Sequence, residues 1–383
     1  MPIYKIDRKR DGKQGYRVRI NFIDKSTGKN RQLERITYGS DEAKNLEREL
    51  QYKLKERKPS QSITVGQLFD EYVQAKKYEV RETTARKTAH IASHHILPYF
   101  KNIKIENVNS KNLQEWKIKI ENTKSLKGKN NLSIETKKNI YKEFRTLLNY
   151  AIKMEYLSQN PLLRIGNFKD TNSINKEMNY YTAEEFQKFI QVALKCAEDA
   201  EKKGDLYEWN YYVFFCIAFY TGMRKGEIHA LRWIDIKDDY ISVKRSTAQK
   251  LNGDDRITPP KNNSSVRTLQ IPIPLKKILE KYHKKCKKIE GFKNSYLICA
   301  GIKALRDTSI ENRNIKFAET AGIKKIRIHD FRHSHVSLLA NNNINIQEIA
   351  RRLGHAKVDM TWNTYSHLYP REEERAIQVL NTI

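Results

Sequence analysis

Cysteine is scarce: Cys196, Cys216, Cys286 and Cys299 are the only four in 383 residues. Their wide spacing matches no zinc pattern and forms no disulfide framework, so they read as reduced, structural thiols. Long apolar runs are missing as well. None approaches the roughly 20 residues that a bilayer span requires. The opening Met1-Pro2-Ile3-Tyr4-Lys5 lacks a signal-peptide pattern, and no internal repeat is visible. The expectation is a cytoplasmic protein. Acid is the third shortage, with Asp+Glu 45 against Lys+Arg 73 and a formal net charge of +28. Such self-repulsion calls for a polyanionic partner, and nucleic acid is the first to consider. An anionic membrane surface is the second, but no long helix pairs a lysine face with an exposed apolar one. An apolar fraction of 39%, with Trp 4, Tyr 21 and Phe 13, supplies cores and excludes a disordered basic tail. At this length two or three domains are expected.

Residues 3–38 predict a small sheet. Asp11-Gly12-Lys13 and Ser26-Thr27-Gly28-Lys29 are turn signals. Between them Tyr16, Val18, Ile20 and Phe22 alternate with Arg17, Arg19 and Asn21, the period of a half-buried strand. Arg31, Leu33, Arg35 and Thr37 form a third strand. Arg17, Arg19, Arg31 and Arg35 are either a solvated face or a basic sheet face laid into a DNA groove. A helix follows from Asp41 to about Lys58, with Ala43, Leu46, Leu50 and Leu54 at helical spacing.

The interval 62–165 predicts an all-helical domain with basic surfaces. Helices start at Thr64, Thr83, Ser110 and Ser133, and Arg86 and Lys87 are candidate DNA contacts. His90, His94 and His95 have no cysteine or carboxylate set at ligand spacing, so no metal is expected. Residues 166–179 are a polar linker. In 180–383, Thr182 starts a helix, and Trp209 to Tyr220 is apolar enough to be a buried one. Extended pieces are expected at 240–243 and 268–273, with a Gly/Asp/Pro/Asn-rich hairpin zone between them. Helices return at 275–289, 310–321, 331–340, 346–353 and 358–365, and a last amphipathic piece covers 371–380.

Cleaving a DNA phosphodiester without metal needs cations beside the non-bridging oxygens, an in-line nucleophile and an acid at the leaving oxygen. Arginine suits the first task through bidentate phosphate binding, and tyrosine can act as a covalent nucleophile. A phosphotyrosine ester keeps the bond energy, so the strand can be resealed without a nucleotide. Taken singly, each candidate has a plain structural reading. Arg224 could be a solvated helix end, His329 a packing residue, His355 a helix-start residue and Tyr365 a core tyrosine.

Together they do not read that way. Thr221-Gly222-Met223-Arg224-Lys225-Gly226-Glu227, His329-Asp330-Phe331-Arg332, Leu353-Gly354-His355 and Thr361 through Tyr365 to His367 occur in one order. This set resembles the motifs of the tyrosine recombinases of the phage and integrative-element integrase family. Pro260-Lys261-Asn262-Asn263-Ser264 before Val266-Arg267-Thr268 resembles that family's lysine hairpin, with Lys250 as a rival for Lys261. The resemblance implies a multidomain α+β fold in three parts. An N-terminal three-stranded sheet plus helix (1–58) would bind arm sites. A central helical domain (62–165) would bind the core site. A mainly helical catalytic domain with a small β-sheet would fill 180–383.

It also implies roles. Arg224 and Arg332 clamp the phosphate, and Glu227 supports the clamp. Tyr365 attacks phosphorus to leave a 3′-phosphotyrosyl link, and Lys261 protonates the departing 5′ oxygen. His329 assists proton transfer at the tyrosine, and His355 bonds or positions a phosphate oxygen. His333, His335 and His367 are supporting groups. The implied activity is integration and excision of a mobile element or prophage through a Holliday junction by a homotetramer on duplex DNA, with no cofactor. A directionality factor and a DNA-bending protein are implied partners. Ile377, Val379 and Leu380 would dock on a neighbouring subunit or fold back in cis. The alternatives are a type IB-like topoisomerase and a non-catalytic DNA-binding protein.

Overall fold

The computed structural model describes residues 3–23, 30–55, 63–125, 130–170, 178–251, 254–259, 263–369, 377–378 and 380–382. It divides into two compact units, Met1–Ile174 and Asn175–Ile383.

In the first unit, β1 (Ile3–Arg10), β2 (Lys13–Ile23) and β3 (Asn30–Tyr38) form an antiparallel sheet in that order. Asp11 and Gly12 both take positive φ, 52° and 73°, the requirement of a two-residue hairpin whose twist matches its strands. Helix α1 (Ser40–Lys55) lays Ala43 and Leu50 over Val18. The register divides the four arginines. Arg35 pairs with Val18 and Arg31 with Phe22, so both share the face that bears the Val18 core. Arg17 and Arg19 point the opposite way, and both hold Glu34 at 3.1 Å. The single basic face expected from the sequence is therefore not formed. Strand alternation places odd residues of β2 opposite even residues of β3.

The helical part comprises α2 (Val65–Lys76), α3 (Glu82–His95), α4 (Leu97–Phe100), α5 (Ser110–Glu121), α6 (Ile134–Lys153) and α7 (Leu162–Ile165). Thr64 with Gln67 and Asn109 with Asn112 close capping boxes at α2 and α5, satisfying N–H groups that the first turns leave open. The core is built on Phe100, Trp116 and Phe144, with ring centroids 5.0–6.2 Å apart. Trp116 donates its indole N–H to the His95 carbonyl at 2.7 Å. Arg86 and Lys87 lie exposed on α3. Among the described residues no three His, Cys, Asp or Glu side chains are grouped to hold a metal. None of the described helices is long and apolar enough to cross a membrane.

The second unit is arranged around α9 (Tyr207–Thr221), which follows α8 (Ala183–Lys202) and is buried on nearly every side. A helix that is apolar all round must lie inside a larger body. Beyond α9 come α10 (Lys225–His229), β4 (Ile236–Lys237), β5 (Tyr240–Val243), β6 (Ser246–Leu251), β7 (Asp254–Thr258) and β8 (Arg267–Gln270). The chain continues as α11 (Ile273–Cys286), α12 (Asp307–Thr320), α13 (Asp330–Asn341), α14 (Ile346–Leu353) and α15 (Val358–Tyr365). Helices α8, α11 and α13 pack on α9, and Phe189, Phe215, Phe317 and Phe331 interlock edge to face and tilted. Strands β4, β5 and β8 form one antiparallel sheet, and β6 with β7 a separate hairpin. The last strand stops at Gln270 rather than Ile273. Pro272 has no N–H to give a ladder, and it takes the N-cap of α11 instead. All four cysteines are free. Lys261 lies outside the described residues, as do Val379 and most of the expected C-terminal helix.

Candidate active site

Helix α9 ends at Gly222, in the left-handed conformation with φ 63°. A glycine is needed there twice over. An L side chain is strained at that φ, and a Cβ would stand 2.7 Å from His335 and 3.1 Å from Leu353. The tight exit places the next three residues at the start of α10. Arg224 caps that helix, donating its backbone N–H to Glu227 Oε2 at 3.0 Å and its Nη1–H to Oε1 at 3.1 Å. The Arg224 side chain stays 37% exposed while that of Glu227 is 3% exposed, so the cation faces out and its anchor lies inside.

Glu227 has a second cation. Arg267, on β8, donates Nη2–H to Oε2 at 2.9 Å, Nε–H to the Arg352 carbonyl at 2.6 Å and Nη1–H to the Ser265 carbonyl at 3.1 Å. Burial by itself would raise the Glu227 carboxyl. The Arg267 and Arg224 charges outweigh it, and its pKa lies below the ordinary value. One buried carboxylate therefore ties α10, β8 and the end of α14 together. Glu227→Ala would leave Arg267 buried without its anion. We expect a stability loss of about 3–5 kcal/mol, read as a lower denaturant midpoint, with DNA cleavage lost in parallel.

Arg332, on α13, is 3% exposed. It donates Nη1–H to the Gly222 carbonyl and Nη2–H to the Leu353 carbonyl, each at 2.8 Å, and a further Nη2–H meets His355 Nε2 at 2.8 Å. A guanidinium has five N–H groups, so two remain for other partners. Burial, then the neighbouring Arg224, push its pKa down. An anion arriving at this site would relieve both effects.

His355 follows Gly354, the left-handed cap of α14. An arginine N–H can only donate, so His355 Nε2 must accept, and the ring proton sits on Nδ1, which is 2.8 Å from Thr361 Oγ1. Burial and the cations Arg332, Arg224 and Arg267 lower its pKa to about 4. His355 thus orients Arg332 in this state rather than offering Nε2–H to a phosphate.

Tyr365 ends α15 and is 2% exposed. Burial raises its pKa, while Arg332 and Arg224 pull it down. Its hydroxyl lies 2.8 Å from His333 Nδ1. His329, one helical turn before, is exposed, and its ring centroid is 5.0 Å from that of His333. It is therefore His333, not His329, that hydrogen-bonds the tyrosine. His335 lies deeper and donates Nδ1–H to the Phe219 carbonyl at 2.8 Å.

These imidazoles share a direction. Burial drives His333 and His335 down to about 4 and about 3, alongside His355. A depressed folded pKa means that the unfolded chain takes up protons first, so stability falls with pH below about 6.5, the unperturbed histidine value. With allowance for screening, the loss at pH 5 should be on the order of 1 kcal/mol per histidine. Thermal unfolding between pH 7 and pH 5 reads it, and His335→Asn should flatten the slope.

The structure thus brings Arg224, Glu227, Arg332, His355 and Tyr365 together from four segments, with His329 at the rim. Two residues that the sequence did not single out join them. Arg267 is one cation among 73 in the sequence, where His333 reads only as a supporting group. A cavity of about 720 Å³ among Trp233, Tyr282, Cys286 and Phe292 shares no residue with this cluster, whose open, cationic rim suits a broad polyanion.

The phage integrase family profile matches residues 179–372, and that of the phage integrase N-terminal SAM-like domain matches 64–119. The chain is 27% identical over 380 residues to the ICEBs1 integrase of Bacillus subtilis strain 168, covering 96% of this chain and 97% of that one. Its fold is similar to the Tn1549 transposon integrase in complex with a circular intermediate DNA, with TM-score 0.64, 18% identity, and 84% of this chain and 100% of that one covered. It is also similar to a lambda integrase tetramer bound to a Holliday junction, with TM-score 0.53, 18% identity, and 93% and 96% covered. With half of its length in the family profile, the chain belongs to the phage integrase family and is a tyrosine-recombinase-type enzyme of site-specific DNA recombination.

Proposed function

We propose that this enzyme integrates and excises a mobile element by cutting and resealing DNA through Tyr365. One observation carries the reading: the Tyr365 hydroxyl stands within the same cluster as Arg332, whose remaining N–H groups and the outward Arg224 offer a cradle for a phosphate. A phosphodiester held there has its non-bridging oxygens neutralised, which lowers the barrier to attack by an oxygen nucleophile. The Tyr365 oxygen forms the new bond to phosphorus, and the 5′ oxygen leaves. Lys261 is the group we assign to protonating that oxygen, and His329, exposed beside His333, is the group we assign to assisting proton transfer at the tyrosine. His355, bonded to Arg332, keeps the clamp aligned.

The rest of the chain serves the DNA. We read residues 1–58 as the arm-site module and 62–165, with Arg86 and Lys87, as the core-site module, joined by 166–179 to a catalytic domain at 180–383. Because Arg17 and Arg19 oppose Arg31 and Arg35 across the sheet, only one pair would enter a groove, and the other would face α1 or the groove wall. Four copies on two core sites would exchange strands through a Holliday junction, as a bound tetramer of the lambda integrase fold illustrates. A directionality factor and a bending protein would set the direction, and the work would take place on cytoplasmic DNA.

The test is strand exchange between two duplexes bearing the element's attachment sites. Joint products with both parental flanks support recombination. Relaxation of a supercoiled circle without joint products would identify a topoisomerase instead.

A further inference from the structure

Helix α10 has five residues, too few to hold its own shape in water, yet it carries Glu227 and starts beside Arg224. Three contacts fix it. Glu227 ties it to Arg267. Strand β6 packs on it, so closely that a Cβ at Gly226 would stand 2.6 Å from Ser246 Oγ. The third contact is Asp307, the first residue of α12. Its Oδ2 accepts from Lys225 Nζ at 2.6 Å, and its Oδ1 lies 3.5 Å from His229 Nε2. Lys225 and His229 are four positions apart, so they share one face of α10. His229 is 1% exposed, and neither ring nitrogen has a hydrogen-bond partner among the described residues. The His229 ring and the Lys225 ammonium outweigh burial and hold the Asp307 carboxyl down to about 2, and the start of a helix favours a carboxylate as well. The anchor is firm. Helix α12 buries Ile310 and Phe317 in the core of its unit, and Arg313 donates Nε–H to Glu208 Oε2, at the start of α9, at 2.9 Å. The other end of α9 leads to Gly222 and then Arg224, so α9 and α12 together frame α10.

We propose that Asp307 is a positioning residue for Arg224: by holding Lys225 and His229 it fixes the pose of α10, and with it the aim of the Arg224 guanidinium at the scissile phosphate. This deepens the strand-cleavage reading above and rests on it. Asp307 acts through Lys225, the chain neighbour of Arg224. It also keeps the Lys225 ammonium occupied, so that this second cation does not compete with Arg224 for the phosphate. The Lys225–Asp307 pair is half-exposed, and such pairs add little to stability. Its effect therefore belongs in the rate, where a displacement of about 1 Å can cost about 10²-fold.

The experiment compares the full-length protein with Asp307→Asn and Asp307→Ala, each alone and combined with Arg224→Ala, on nicked duplex carrying the core site. Sulfur replaces the bridging 5′ oxygen at the scissile position, so that cleavage is not reversed and slow variants still accumulate adduct. Asn keeps the shape of Asp307 and removes its charge, whereas Ala removes both. We expect each single Asp307 variant to form adduct about 10- to 10²-fold more slowly, with DNA affinity and unfolding midpoint close to those of the parent. On the Arg224→Ala background the same substitutions should slow the reaction by about 2-fold or less, because the aim of an absent guanidinium cannot matter. A deficit that multiplies in full on that background would make Asp307 a general support of the fold and overturn the assignment. Unchanged rates would overturn it too, as would a loss of folding or of DNA binding in both Asp307 variants that accounts for the deficit. Absence of adduct from the unaltered protein would instead defeat the cleavage reading itself.

Discussion

Tyr365→Phe should bind core-site duplex as tightly as the parent and form no covalent adduct with it. The ring is buried at 2% exposure among Val336, Ala340, Ile349 and Leu353, and phenylalanine fills that space with the same carbon skeleton. What is lost is one oxygen. For the fold, that oxygen is a hydrogen bond to His333 and a second to the Arg332 side chain, about 1 kcal/mol each. In the proposed chemistry it is the nucleophile, and phenylalanine offers no oxygen in its place beside Arg332. Adduct should fall below detection on a denaturing gel while a mobility shift persists. A variant that still forms the adduct would move the nucleophile elsewhere, and a variant that no longer binds DNA would make Tyr365 a structural residue.

Arg332→Lys should be nearly as severe for a different reason. Lysine keeps the charge but has three donors on one atom, while Arg332 reaches the Gly222 carbonyl from Nη1 and the Leu353 carbonyl and His355 imidazole from Nη2. The Gly222 and Leu353 carbonyls cannot both be met from one ammonium, and the cradle for the phosphate loses its planar fork. We expect adduct formation to fall by about 10³-fold or more, together with a lower unfolding midpoint, because buried carbonyls left without donors cost about 1–3 kcal/mol each. Arg224→Lys, at a half-exposed position, should lower the rate with a smaller change in stability. If the two substitutions proved equal in stability, the wedge between Gly222 and Leu353 would not be the support it appears from its bonds.

Much of this was legible in the chain, and the reasons differ by residue. The helix ends near the site agree with the expected spans to Tyr220 and Leu353, each closed by a glycine in the left-handed conformation, Gly222 and Gly354. Helices α14 and α15 fall where their spacing predicted, since apolar periodicity and the intervening Gly354-His355 agree. Arg267 was hidden because a basic chain offers no contrast. Its role depends on Glu227, Ser265 and Arg352, which only the fold assembles. His333 and His329 are four positions apart, one helical turn, so the sequence admits either at the tyrosine. The rotation of α13 about its axis, fixed by Phe331 packing against Phe189 and Phe215, selects His333. The basic sheet face failed because arginines on adjacent strands share a side only when the register pairs them, and register depends on the connection between strands.

The most direct measurement is to locate the covalent bond. After capture on nicked core-site duplex, nuclease and trypsin would reduce the adduct to a nucleotide on one peptide. Cleavage after Lys357 and Arg371 gives a peptide that contains both Tyr365 and Tyr369. Tyr369 is half-buried and donates its O–H to the Ile344 carbonyl at 2.9 Å, away from the arginine cluster, so the two sites make different claims. Fragment masses that place a 3′-phosphonucleotide on Tyr365 are what the account predicts. A nucleotide on Tyr369, on any other residue, or joined through a 5′ phosphate would contradict it.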